Sequence, residues 1–471
     1  MATNLSTLSN ILKEYYLGPV SEQLNNEVLL LSRLESKTED LVGRRAYVPL
    51  HWGRSGGVGA RAESAALPTS GNQQYEKAVY DLKYLYGRVE VTGPSMAKTK
   101  NEAGAFLQAL KSELDGIRND LRKDLARQVY GAGDAKISTA SVTLNLGSFT
   151  YAATAASGST TMKVGSEVVR KGQVYPGMLI SVYTSGNVAK INSNPAAQGP
   201  AWNYTTDANA FSITSVDIDA GTISFVSPTT ACADGDYITR FGVKSYAANT
   251  NDALNIPAAT GTYSLSDEID GLQRIVSDTA KSFGGIDPTV AANFWWDNQR
   301  VAAGSTDLRQ NAQDPQGVTG SSLLQNLTFG TVQQGLNKAR IAGGMPSSIV
   351  TSFGVQREFY TLFTTQVQYI DPKTLDYQQG FKTLSYNGMP VIADIEAPYG
   401  KMYILDESTL KVYSDQDWHF LDADGLTLRQ VTGYDKFEAI MARYMNIGAT
   451  RRNNQVVVTG IKVDGAADVG Y

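Results

Sequence analysis

Cysteine occurs once in 471 residues, at Cys232, which excludes an intrachain disulfide and any metal cluster built on cysteines. Stability must therefore come from packing or from assembly. Histidine is nearly as scarce: His51 and His419 are the only two, they lie far apart, and no Ser-His-Asp arrangement has support from spacing. No stretch of 18 apolar residues exists, and the opening residues MATNLSTLSNILKEYY lack a basic region followed by an apolar run. A soluble chain made in the cytosol, with no membrane partner, is the expectation. Positive charge is not in surplus either. A net charge of -5 argues against tight nonspecific binding to nucleic acid, which needs Lys and Arg to displace counterions from phosphate. The clearest basic spots, Arg44-Arg45 and Arg451-Arg452, read as solvated surface charge.

Chemistry is hard to find in what remains. Asp415, Asp417, Asp422 and Asp424 miss the calcium-loop register and read as turn and cap residues, as does Asp234-Gly235-Asp236 before Tyr237. Gly57-Val58-Gly59-Ala60-Arg61-Ala62 echoes a dinucleotide loop but lacks the strand before it and the helix after it. Trp295-Trp296, Trp202 and Tyr204 could stack on a sugar or a base, although core or subunit packing is the stronger reading. No catalytic residue, cofactor or metal ligand is assigned. A chain of this size without a credible site is expected to be a structural part and not an enzyme.

What is present is an order of elements. Leu5, Leu8, Ile11, Leu12 and Tyr15 recur at helical spacing, Gly18-Pro19 interrupts them, and Val20, Leu24, Val28 and Leu31 resume. Residues 46–50 and 78–91 look extended, and between them 53–72 form a glycine-rich excursion that offers a core almost nothing. A capping box at Thr99 and Glu102 opens a helix over 102–130. Its apolar stripe is Leu107, Leu110, Leu114, Ile117, Leu121, Leu125 and Val129; Lys111 with Asp115, Asp115 with Arg118 and Asp120 with Lys123 can pair on its wet side. Gly131 and Gly133 end this rod, about 45 Å long at 1.5 Å per residue.

After Asp134 the composition shifts to Ser, Thr, Ala, Gly and Asn until about Thr262. Short strands at 177–182, 211–218 and 222–226, with a turn at 219–221, suggest a small β-barrel or sandwich that looks inserted. Beyond it, helices are expected over 267–280, 323–341 and 354–363, and strands at 348–352, 402–405, 410–413, 437–444 and 455–463. Residues 381–394 read as a hairpin whose Asn387-Gly388 suits a type I′ turn, and 451–454 as a polar turn. No period of 20 to 50 residues repeats, so a solenoid is not expected.

That order resembles the major capsid proteins of tailed bacteriophages, whose fold is shared with encapsulins. It is carried by Tyr75 to Pro94 leading into the helix, by Gly344-Met345-Pro346-Ser347-Ser348-Ile349-Val350, by Tyr386-Asn387-Gly388-Met389-Pro390-Val391-Ile392, and by the final strands at 437–452. The resemblance implies an α+β fold. Residues 1–43 would be an N-terminal helical arm and 44–94 an extended β loop. Residues 95–133 and 426–471 would be a peripheral domain with a spine helix and β sheet, 134–263 an inserted all-β domain, and 264–425 a mixed α/β axial domain.

It further implies a subunit that self-assembles into the hexamers and pentamers of an icosahedral head, a virion component assembled in the host cytoplasm around a double-stranded DNA genome. Packaged DNA would be touched only weakly and nonspecifically, as suits a mildly acidic wall. The expected partners are further copies of the chain, a separate scaffolding protein and a portal, with room for a decoration or cement protein. Arg44, Arg45, Arg54, Arg61, Glu63, Glu76 and Lys77 are the candidate intersubunit contacts. Some relatives join a loop lysine to a peripheral-domain asparagine; Lys77 or Lys83 with Asn446, Asn453 or Asn454 are conceivable, but ordinary surface roles are favoured. The alternatives are an encapsulin-like nanocompartment subunit or, from a different class, a carbohydrate-binding module using Trp202 and Tyr204.

Overall fold

The computed structural model describes residues 29–37, 41–42, 45–63, 65–93, 103–139, 149–151, 159–164, 166–184, 189–190, 210–226, 236–243, 245–246, 265–303, 325–364, 384–421 and 429–463, and the side chains of the long helix from residue 114 onward. The expected arm before residue 29, Arg44, the capping box, Trp202, Tyr204, Cys232, Asp234, Asp422 and Asp424 lie outside them. The described chain is α+β, with several sheets and few helices.

The helix expected at 102–130 is the 28-residue Ala103–Tyr130. Its stripe is buried unevenly: Leu125 and Val129 are sealed, whereas Leu114, Ile117 and Leu121 are half-buried. The middle of the helix crosses the strand Lys83–Thr92 at Gly87, where an added Cβ would lie 2.6 Å from Leu121 Cδ1 and 3.0 Å from Ile117 Cγ1. A side chain at this position would push Leu121 and Ile117 aside, so glycine lets helix and strand pack closely here. At the helix end the Gly131 amide donates to the Gln128 carbonyl at 2.9 Å, and Gly133 takes a positive φ of 66°.

Lys83–Thr92 was expected to continue the strand before it as one run over 78–91. Instead the chain bends after Asp81. Asn446 Nδ2 donates to the Asp81 carbonyl at 2.8 Å, and Leu82 turns into the interior. Gln74–Asp81 then pairs with Arg45–Gly53, while Lys83–Thr92 pairs along its whole length with Lys436–Ala449. Lys436–Ala449 is flanked on its other side by Leu410–Phe420 and Arg429–Gln430, and Glu35–Lys37 runs parallel to Leu410–Phe420. Asp415 and Asp417 therefore sit within a strand, at places where its register shifts, and not in turns.

A six-stranded sheet runs in the order Gln299–Ala302, Val456–Thr459, Met402–Leu405, Ser348–Thr351, Met389–Ala393, Ser385–Tyr386. Helices Phe329–Ile341 and Phe353–Thr364 share one apolar cluster with Ile349, Val391, Ile404, Val456 and Val458. The alternate residues Val350, Tyr403, Leu405 and Val457 belong to a second cluster with the root of the first hairpin and the end of the long helix. Burial on both faces explains why these strands read as unbroken apolar runs. It also explains why Val456–Thr459, expected with the closing strands of the other sheet, lies inside this one. The hairpin at 385–393 turns through Asn387 and Gly388 at φ 50° and 80°, the conformation a type I′ turn requires.

Of the helix expected over 267–280, only Leu272–Ile275 forms: Gly271 before it is extended, and at its end the carbonyls of Arg274 and Ile275 accept from a remote guanidinium. Finally, Ser138–Thr139, Tyr237–Arg240, Leu179–Tyr183, Phe211–Asp217, Thr222–Val226, Ser159–Lys163 and Phe149–Tyr151 make a seven-stranded sheet with its own cluster around Ile180, Phe211, Ile223 and Phe225. The turn at 219–221 forms as expected, with Asp217 Oδ1 accepting from the amides of Asp219 and Ala220 at 3.0 Å each. Asp236, read as a turn residue, is buried instead and meets Lys190 at 3.0 Å.

Candidate functional site

Arg45–Gly53 and Gln74–Asp81 form a hairpin with cross-strand partners from Arg45 opposite Asp81 to Gly53 opposite Gln74. Alternation decides its faces. Ala46, Val48, Leu50, Ala78 and Tyr80 point into the protein, and Tyr47, His51, Tyr75 and Lys77 point to solvent.

The root is locked. Tyr80 donates its hydroxyl proton to the Ala449 carbonyl at 2.7 Å and accepts from the Ala449 amide at 3.2 Å. Its ring stacks on Tyr413 at 5.5 Å and tilts against Phe283 at 5.2 Å. Burial pushes the Tyr80 hydroxyl well above its ordinary titration range, so it stays neutral and keeps both bonds. Farther out, the Trp52 ring lies parallel to Trp295, 5.5 Å away. Beyond Trp52, no large ring among the described residues packs on the hairpin. Ser55 Oγ donates to the Gly71 carbonyl at 2.8 Å and closes a neck. The loop past the neck is exposed, with Val58 and Leu67 at 89% and 85% of full exposure. A two-stranded ribbon without further cover is marginal in water.

The residues singled out from sequence divide along this hairpin. Arg45 stands at the root, where its Nε meets Asp81 Oδ1 at 2.6 Å within the same chain. Arg54, Arg61 and Glu63 are exposed on the loop, and Glu76 and Lys77 are exposed on the second strand. Arg451 is exposed, as expected; Arg452, expected to be solvated with it, is completely buried. Asn446 and Asn454 are also buried: Asn446 bonds Asp270 and Asp81, and Asn454 donates to Asp406 Oδ2 at 2.9 Å. Lys83 Nζ donates to the Ser266 carbonyl at 2.7 Å. Lys77 stays exposed and Asn453 half-exposed. Sequence reasoning passed over Tyr80 and Trp52 as anchors; the Trp295-Trp296 pair was the one signal pointing toward them.

A second exposed feature lies on the sheet that carries Lys83–Thr92. Leu85, Gly87 and Val89 face inward, and Tyr84 and Tyr86 face outward at 47% and 55% exposure. Tyr444 meets Tyr84 edge-on at 5.2 Å and Tyr86 at 6.2 Å, and His419 approaches Tyr444 at 5.6 Å. Neighbouring charges answer each other: Arg88 pairs with Glu90 at 2.5 Å and with Glu438 at 2.8 Å.

Buried carboxylates are similarly matched. Arg127 bonds both Asp124 and Glu268, and Arg240 reaches Asp124 at 3.4 Å. Burial raises the Glu268 carboxyl despite Arg127. For Asp124 burial acts the same way, but Arg127 and Arg240 outweigh it and the carboxyl is lowered. Among the described residues no cluster of three or more His, Cys, Asp or Glu could hold a metal, and no helix is long and apolar enough to cross a membrane.

No family model and no curated protein sequence matches the chain. Solved structures do. A chain of the cyanophage A-1(L) capsid asymmetric unit matches with a TM-score of 0.55 at 13% identity, covering 98% of this chain and 99% of that one. The two chains share a fold. Two further matches have lower TM-scores: the capsid of a native GTA particle, 0.46 at 8% identity over 98% and 100%, and the holo-SrpI encapsulin complex of Synechococcus elongatus PCC 7942, 0.44 at 7% identity over 99% and 98%. The shared capsid fold extends across nearly the entire length, although only about one residue in eight is identical in the first match.

Proposed function

We propose that this chain is a shell-forming subunit, the major capsid protein of a tailed bacteriophage, which assembles into hexamers and pentamers of an icosahedral head around double-stranded DNA. The observation that carries the proposal is a hairpin with a locked root and an uncovered end, in a chain that shares its fold with a phage capsid chain over nearly its whole length. Such an arm gains stability by lying against a neighbouring copy, and head-to-tail contacts of that kind close into rings and shells.

In this scheme 44–94 is the extended loop, Ala103–Tyr130 the spine and 134–263 an insertion. Residues 264–425 form the axial domain except that Leu410–Phe420 joins the peripheral sheet, and 95–133 with 426–471 the peripheral one except that Val456–Thr459 joins the axial sheet. Arg54, Arg61, Glu63, Glu76 and Lys77 would contact neighbours, while Arg45 serves the hairpin's own root. Electron microscopy of the purified protein tests the proposal: closed shells support it, and a monodisperse monomer under all assembly conditions rejects it.

A further inference from the structure

The guanidinium of Arg452 pairs with no carboxylate among the described residues. It is fully buried, and its four bonds all go to neutral oxygens of one segment: Nε to the Ile275 carbonyl at 2.7 Å, Nη1 to the Lys281 carbonyl at 2.6 Å, and Nη2 to the Arg274 carbonyl at 3.2 Å and to Ser277 Oγ at 3.1 Å. The guanidinium also lies 5.6 Å from the centre of the Phe283 ring. Burying an arginine is costly unless each N–H finds an acceptor, and a planar fork suits several fixed carbonyls better than an ammonium does.

The gripped segment is the one that holds the hairpin. Just beyond Lys281, Phe283 and Ile286 bond each other's backbones across Gly284 and Gly285, both at positive φ. The Gly284 carbonyl accepts from the Val79 amide at 2.9 Å, and an added Cβ on Gly284 would lie 3.1 Å from Ala78 Cβ. The Phe283 ring touches Tyr80, and its carbonyl accepts from Trp296 Nε1 at 2.8 Å. Trp296 packs edge-on against Trp295, which stacks on Trp52. One bracket, 274–296, thus meets the hairpin at its root and again near its neck. Arg452 fastens that bracket to the turn following Lys436–Ala449, whose Ala449 bonds the Tyr80 hydroxyl.

We infer that Arg452 is a positioning residue for the hairpin: through the bracket 274–296 it fixes the direction in which the uncovered arm leaves the subunit. The inference deepens the shell-subunit proposal and rests on it for the consequence on assembly, but its mechanical part can be tested without assembly.

The test compares the full-length wild type with Arg452→Lys and with Gly284→Ala, which loosens the bracket from the hairpin side. Hydrogen exchange in the unassembled subunit is read first. Amides of Arg45–Gly53 and Gln74–Asp81 should exchange roughly tenfold or more faster in both variants, while Val456–Thr459 keeps its protection. Electron microscopy then scores shells, which should be lost or malformed in both. Unchanged hairpin exchange overturns the inference, and so does loss of protection throughout the chain in Arg452→Lys, which would make Arg452 a general core residue. Selective hairpin exchange in variants of a wild type that never forms shells would uphold the bracket and reject the shell-subunit proposal.

Discussion

Tyr80 lies so close to Gly448 that a Cβ added to the glycine would stand 2.7 Å from Tyr80 Cε2, and equally close to Tyr413 Cε2. Two stacked aromatic rings therefore rest on bare backbone at the hairpin root. Gly448→Ala should cost about 1–3 kcal/mol, because an extra methyl in a filled core forces rings off their rotamers. Urea unfolding of the unassembled subunit measures the loss, and an unchanged midpoint would contradict the contact.

The long helix should tolerate change unevenly. Leu125 is sealed and Leu114 only half-buried, so Leu125→Ala is expected to cost about 2–5 kcal/mol as a cavity mutation. Leu114→Asp should destabilise without abolishing folding. Thermal melts of the two variants should rank Leu125→Ala as the less stable; the reverse order would place the buried face elsewhere.

Replacing residues 56–70 with a short Asn-Gly turn keeps Ser55 and the paired strands but removes the exposed loop. The subunit should fold with a melting temperature close to wild type and fail to form shells. Normal particles from this variant would show that the loop makes no contact needed for assembly.

Arg45→Ala should behave differently from changes on that loop. Its partner Asp81 belongs to the same hairpin and both side chains are partly exposed, so the expected loss is under about 1 kcal/mol. Shell yield, counted by microscopy, should stay near wild type.

Glu396 supplies a pH dependence. Burial holds its carboxyl above the ordinary glutamate value of 4.5, against the opposing pull of Lys171 and of the hydrogen bond from Gln173 at 2.6 Å. The folded state therefore binds the proton more tightly than the unfolded state. This contribution to stability is complete below the ordinary value and is lost as pH rises through the raised folded value. Melting temperatures measured from pH 4 upward should fall across that window in wild type, relative to Glu396→Gln, where this component is absent. Parallel profiles would remove Glu396 as the source.

Local signals in the sequence marked several elements accurately. The leucine period and the glycines after it bounded Ala103–Tyr130, and Asn387-Gly388 specified its turn, because the relevant bonds lie within a few residues. The largely exposed character of the described residues between 54 and 72 was legible for a similar reason: a segment without apolar residues at regular spacing has no face to bury. Arg54, Arg61 and Glu63 could thus be placed on an exposed loop. The fate of Arg45 could not, since Asp81 lies 36 positions away.

The sequence by itself determined which residues could form a face, where chain direction could reverse, and that no disulfide would fasten the fold. Only the tertiary structure decided which face met which. It separated Lys83–Thr92 from the hairpin and gave it to Lys436–Ala449, and it placed Val456–Thr459 within a sheet covered on both sides. It also cut the helix expected at 267–280 to one turn and buried Arg452 against that turn's carbonyls. The physical reason is common to all of these. Periodicity records that a side is apolar, but strand partners and the acceptors that make a buried cation tolerable are supplied by segments hundreds of residues away, and no local pattern records them.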